Sequence, residues 1–334
     1  MSHGHDLAQT VAALDMCADE AALRAEITRA MAGLTRRPEA SQAWSAVLRR
    51  AVAAAVRVVE PADWTWFVSG SVARGEAVPG SDVETMVMLG EGVGDPEKAD
   101  LLARAAQVHA LLERSGIGGD ANGVLASRSR FCRRRSSWDE GIERWATEPE
   151  RDRGVVMTGL VADASALAGA EDAMRVGGAA AAGRHYAVRQ AMLQDATAVR
   201  ASVPSRLRVF VSAGDAVDVK RAVLDPVVKI ARWASLSVGS TELTTRQRLA
   251  DGAAGGVLDS DDAETLRECQ QWLMRFRWQA RVADLRTGRT VGDVVALREL
   301  SPQDRAALRS VAREVSGVMR KLGYLASVSA FADQ

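Results

Sequence analysis

The stretch from Phe67 to Leu89, FVSGSVARGEAVPGSDVETMVML, constrains this chain more than any other. A strand-like run, Trp64 to Val68, stops at Ser69, Gly70 and Ser71. A short polar segment of expected helix follows and is ended by Pro79 and Gly80. A second strand is expected over Asp82 to Leu89. Successive side chains of a strand point to opposite faces, so Asp82 and Glu84 share one edge, with Met86 and Met88 behind them.

The order strand, glycine turn, helix, strand has a chemical reading. Transfer of a nucleotidyl group needs an anchor for a triphosphate, a divalent cation to neutralise it and a base for the attacking hydroxyl. Gly70 lets the backbone turn sharply and approach a ligand, while Ser71 and the amides opening the helix donate to phosphate oxygens. Asp82 and Glu84 are hard oxygen donors suited to Mg2+ or Mn2+. Arg74 is placed to hold the departing pyrophosphate. Gly-Ser turns and Asp-x-Glu pairs are each common as plain turn and surface charge; their joint spacing is what argues for a site.

Composition narrows the partners. A chain of 334 residues is long enough for two domains of ordinary size. Its 43 basic residues balance 43 acidic ones, so no overall field holds a nucleic acid or an anionic membrane, although a local basic patch stays open. Cys17, Cys132 and Cys269 lie far apart without a CxxC pair, so neither a disulfide framework nor a zinc site is indicated, which fits a reducing cytoplasm. His3 and His5 read as a terminal segment more than a metal site. No apolar run reaches the length of a membrane span and no signal core opens the chain, so a soluble cytoplasmic protein is expected.

Along the chain, residues 6–59 read as helices, with Leu23, Ile27, Met31 and Leu34 on one stripe, Trp44, Leu48, Ala51, Val52, Ala55 and Val59 on another, and Ser41 as an N-cap. Helix is also expected from Glu97 to Arg114. Gly116, Gly118 and Gly119 then lead to Asp120, and Gly123 to Ala126 reads as a third strand or a close backbone approach to ligand. The run Arg128 to Arg135 is either a solvated basic loop or a contact for phosphates. Asp163 stands in the apolar segment Gly154 to Leu167, where a carboxylate is either structural or placed for use. Beyond Glu171 strand signals nearly vanish, and helices are expected to start at Asp261, with Glu264 completing a capping box, and near Ser301 and Pro302. The expected architecture is α+β: an N-terminal helical extension (1–60), a small mixed-sheet catalytic domain (61–170) and a helical-bundle domain (171–334).

The pattern of a Gly-Ser pair, ten residues, then Asp-x-Glu is similar to that of the DNA polymerase beta-like nucleotidyltransferase superfamily. GSVARGEAVPGSDVE resembles the GSxxRGExxxxTDxD form of nucleotidyltransferases related to protein-PII uridylyltransferase. Those proteins carry a helical substrate-binding domain at the C-terminus and often stand beside CBS and cyclic-nucleotide-binding domains. DANGVLASRSRF resembles the family's Gly-Gly-Val-Met-Ala segment through Gly123, Val124 and Ala126. VDVKRAVLDPVVKIARW resembles its LDLKxxxxxPIVxLAR helix through Asp218, Lys220, Arg221, Pro226 and Arg232, and Arg275, Arg277 and Gln279 match a later helical ending.

The resemblance implies metal-dependent transfer of NMP from a triphosphate such as ATP or UTP to an acceptor hydroxyl, with release of pyrophosphate; it suggests a protein tyrosine as acceptor, with a small molecule or a tRNA end as the open alternatives. It implies Asp82 and Glu84 at the metal, Ser71 and Arg74 at the phosphates, and Lys220 and Arg221 closing over the triphosphate or the acceptor. Asp163 matches the acid of a family Asp-x-Arg segment and lies in an apolar setting that favours base function. Asp120, beside the glycine loop, is the second candidate for this third carboxylate. Three departures stand out: Glu84 where the family has Asp, Trp278 for its His, and Ser165 at the arginine position. These departures, with no CBS or cyclic-nucleotide segment in view, motivate a rival reading: a catalytically silent nucleotide-binding or scaffold module.

Overall fold

Trp64–Ser69 forms strand β1, where aromatic and β-branched residues fill a half-buried pleated surface. The computed structural model describes residues 7–332 apart from 38, 60–61, 63, 168–171 and 205–214, so His3 and His5 lie outside the described residues. Before β1 come three helices, α1 (Leu7–Asp15), α2 (Glu20–Leu34) and α3 (Ser41–Val59). After it come the short α4 (Gly70–Ala73), β2 (Glu84–Leu89), α5 (Asp95–Arg114), β3 (Cys132–Arg134), α6 (Arg135–Thr147), α7 (Gly154–Ala162), β4 (Ser165–Ala166) and α8 (Ala173–Arg184).

The four strands make one mixed sheet in the order β3-β2-β1-β4. β1 runs antiparallel to β2, pairing Ser69 with Glu84 and Val68 with Thr85, and antiparallel to β4, pairing Val68 with Ser165. β3 runs parallel to β2, with Val87 opposite Cys132. This register brings the C-terminal end of β1, the start of β2 and the approach to β4 to one edge. Helix α3 packs on α1, α2 and α5, burying Trp44, Leu48, Ala51, Val52 and Ala55 as the stripe requires.

Several local expectations are corrected. β2 starts at Glu84 and not Asp82; Val83 makes an isolated parallel bridge to Gly119 that leaves Asp82 in the extended approach. Gly123 to Ala126 is not a strand but an irregular segment fastened to β2, its Val124 carbonyl accepting from the Thr85 amide at 3.0 Å and its Ala126 amide donating to Thr85 Oγ1 at 3.0 Å. The third strand is instead the basic Cys132–Arg134, where Arg133 lies over the Trp138 ring and Arg134 donates to the Val93 carbonyl and Asp95. Ser41 does not cap α3. It opens the helix, and the Glu39 carboxylate accepts its amide at 2.8 Å.

The chain groups into two compact units. The first holds Met1–Glu143, Leu160–Gly178 and Arg281–Val291; the second holds Arg144–Gly159, Ala179–Ala280 and Gly292–Gln334. Helices α1 to α3 therefore share a unit with the sheet. The second unit is mainly helical: α9 (Tyr186–Thr197), β5 (Ala216–Asp218), a π-helical turn at Lys220–Leu224, α10 (Asp225–Ser237), α11 (Thr245–Ala254), most of α12 (Ser260–Thr287), β6 (Val294–Ala296) and α13 (Pro302–Ala332). Helix α10 packs on α9, α11 and α13. Asp259 caps α12, its Oδ1 accepting the Asp261 and Asp262 amides, in place of the expected capping box at Asp261. α13 starts as expected, with Ser301 and Asp304 exchanging hydrogen bonds, and continues well past Leu322. No helix among the described residues is long and apolar enough to cross a membrane.

Candidate active site at the glycine turn after β1

Gly70 adopts φ +61°, a conformation side chains rarely accept, and its open face is taken by a neighbour. A Cβ at this position would lie 2.6 Å from Glu84 Oε2 and 2.9 Å from Oε1. The missing side chain thus makes room for a carboxylate. The turn continues into α4, where the Gly70 carbonyl accepts the Arg74 amide at 3.1 Å and the Ser71 carbonyl accepts the Glu76 amide at 2.8 Å. Ser69 does not cap this turn; its hydroxyl donates to the Leu160 carbonyl at 2.9 Å. The first amides of α4 have no side-chain acceptor among the described residues, and half-buried Ser71 stands beside them.

Carboxylates crowd the same place. The Glu84 carboxyl is pushed up to about 7, by burial first and by the Asp163 charge next; Arg74 acts against them, while Asp120 and Asp82 add to the rise. Asp82 is half-buried and makes no hydrogen bond or ion pair with a described residue. Asp163 is only 1% exposed. The structure brings Glu84 together with Gly70, and places Asp82, Asp120, Asp163 and Arg74 close enough to act on its charge.

Two expectations about this cluster are corrected. Arg74 is not open to a departing pyrophosphate: it is buried, its Nε donating to Glu76 at 2.8 Å and its Nη1 to Asp163. Burial works to lower its pKa, but the carboxylates of Asp163 and Glu76 outweigh that and hold the guanidinium firmly charged. Asp163, by the same contact, sits in an ion pair and not in the apolar setting its neighbours in sequence imply. Glu76 is the member that sequence reasoning left without a role. The signal was present, an acid two residues after Arg74 in the same short segment.

Asp120 has local work. Its Oδ2 accepts the Val124 amide at 2.9 Å and its Oδ1 accepts from Asn122 at 3.1 Å, closing the loop that supports β2. Lys220 and Arg221 belong to the second unit. Lys220 is half-buried on the π-helical turn, while Arg221 is exposed and pairs at 3.6 Å with Asp218.

No group of three or more His, Cys, Asp or Glu side chains with metal-holding geometry occurs among the described residues. The donor set fits a cation of a particular kind. Mg2+ is ordinarily held by one or two protein carboxylates, with water and substrate phosphates completing its shell, and not by a protein cage. Unpaired Asp82 and proton-hungry Glu84 match that requirement.

A small mixed sheet that presents a Gly-Ser turn from a central strand against an acidic residue on its neighbour is a nucleotidyltransferase arrangement. Two family models agree. The one described as "Putative nucleotidyltransferase DUF294" matches residues 19–152, and the one described as "Putative nucleotidyltransferase substrate binding domain" matches residues 186–325. The chain belongs to this nucleotidyltransferase family. No curated protein matches it.

Proposed function

We propose that the protein transfers a nucleoside monophosphate from a triphosphate to an acceptor hydroxyl and releases pyrophosphate. The observation that carries this reading is the seating of Glu84 on Gly70, inside a group of carboxylates that raises its proton affinity. Like charges this close are costly in isolation and are relieved by a divalent cation.

Asp82 and Glu84 would hold Mg2+ or Mn2+, which supplies neutralisation of the triphosphate charge when bound. The Ser71 hydroxyl and the uncapped amides of α4 would take phosphate oxygens. Asp163, oriented by Arg74, is the carboxylate we assign to the acceptor hydroxyl; Asp120 is given the supporting role its loop contacts favour. Lys220 and Arg221 are assigned to the triphosphate or the acceptor. ATP or UTP is the donor class, a protein side chain the acceptor class, and the cytoplasm the site of action.

The test uses α-labelled ATP, UTP, GTP and CTP in turn, with Mg2+ and a cell extract as the source of acceptors. Label should pass to an extract component with wild-type protein and not with the Asp82→Ala, Glu84→Ala variant. Equal transfer by both proteins would remove the proposal.

A further inference from the structure

We propose that a cavity between α1, α3 and β4 binds a small organic anion with an apolar body, a short-chain carboxylate being the simplest member of that class. The cavity holds about 320 Å3 and is walled by Val11, Ala46, Arg49, Arg50, Ala53, Ala166 and Leu167. That volume lies at the lower end of the range for small-ligand pockets. All seven residues belong to the first unit, and none is part of the carboxylate cluster at Glu84.

The sequence of α3 explains the room. Ala46, Arg49, Arg50 and Ala53 are spaced i, i+3, i+4 and i+7, so they share one face of the helix, away from the Trp44 and Leu48 stripe. Two alanines leave space and two arginines overhang it. Among the described residues the rest of the wall, Val11, Ala166 and Leu167, is apolar.

Charge then defines the occupant. Arg50 has Asp15 at 3.5 Å, and nearby Arg175 pairs with Asp172. Arg49 has no carboxylate of its own among the described residues. Its Nη2 donates to the Ala166 carbonyl at 3.0 Å, and its remaining N–H groups meet no described acceptor. Burial lowers its pKa; Asp172 counters this, while Arg50 and Arg175 add to it. Arg49 therefore carries a guanidinium charge that no described carboxylate pairs. One carboxylate balances it, taken bidentately by the planar fork of Arg49, and its hydrocarbon body covers the apolar wall. Inorganic phosphate shares the charge but has nothing to place against that wall.

The test is a titration of 15N-labelled protein with butyrate, with butanol and inorganic phosphate titrated separately. Butyrate should give saturable shifts at the amides of Ala46, Ala53, Ala166 and Leu167, and neither control should saturate. Arg49→Met, which keeps the stem and removes the charge, should weaken butyrate roughly tenfold or more, the scale of a charge-assisted hydrogen bond. Ala53→Leu fills the cavity while keeping both arginines in the sequence and should block butyrate on its own. The proposal is overturned if wild type shows no saturable butyrate shifts, if folded Ala53→Leu binds butyrate as wild type does, or if butanol or phosphate saturates equally well.

Discussion

The carboxylate of Glu84 rests on the α-carbon of Gly70, so close that a methyl group there would lie 2.6 Å from Oε2. Gly70 directly follows Ser69, the last residue of β1 and the register partner of Glu84 on β2. Gly70→Ala must displace Glu84 and also force an L side chain to φ +61°. The expected cost is about 1–3 kcal/mol of stability, with transfer activity falling out of proportion to it. Urea denaturation and the label-transfer assay on one preparation check this; a stable and fully active Gly70→Ala protein would contradict the assigned role of the glycine.

Arg74, Glu76 and Asp163 form a buried charged triad, and its members are not equivalent. Arg74→Met leaves two carboxylates without their shared cation and should destabilise the protein by about 3–5 kcal/mol. Glu76→Gln keeps the Arg74–Asp163 pair and should cost less than half as much. Denaturant midpoints of the two variants measure the difference.

The third carboxylate is separable by substitution. Asp163→Asn removes the negative charge beside Glu84 and should abolish transfer while the chain stays folded. Asp120→Asn keeps an oxygen to accept the Val124 amide. It should retain the loop and most of the activity. The reverse ranking would move the acceptor-activating role to Asp120.

Two groups set opposing pH trends. Burial lowers the His109 imidazole to about 4. It lies beside Thr85 Oγ1 at 3.0 Å, and its buried Nδ1 meets no partner among the described residues. Below an unfolded pKa near 6.5 the unfolded chain takes a proton that the folded chain refuses, so this stability is present above pH 6.5 and lost as pH falls to about 4. Glu84 runs the other way. Its pKa rises from 4.5 to about 7, so without a divalent cation stability falls as pH climbs through that window. Each contribution is at most about 3 kcal/mol. Stability against pH for His109→Leu should lose the acid-side fall, and Glu84→Gln the rise-side fall.

The two strands at the site edge were legible because β1, the glycine turn and β2 carry strong, joint signals within residues 64–89. β3 was hidden because Cys132–Arg134 is three residues of mostly basic chain, held by a neighbouring strand and by Arg133 over Trp138, which no periodicity reports. The caps at Ser41 and Asp261 were misplaced because Glu39 and Asp259, each two residues earlier, compete for the same amides. Asp163 was legible as a buried acid. Its Arg74 partner is 89 residues away in sequence, a pairing only the folded register of β1 with β4 creates.

The central claim is that a divalent cation and a triphosphate meet at Asp82 and Glu84 beside the Gly70 turn. A crystal structure with Mn2+ and a non-hydrolysable triphosphate analogue, read by anomalous scattering from manganese, tests it most directly. The account predicts a manganese peak bonded to Asp82, Glu84 and the triphosphate, with phosphate oxygens on Ser71 and the α4 amides, and no such peak in the Asp82→Ala, Glu84→Ala variant. Manganese and nucleotide bound away from these carboxylates, or bound unchanged in the variant, would contradict it.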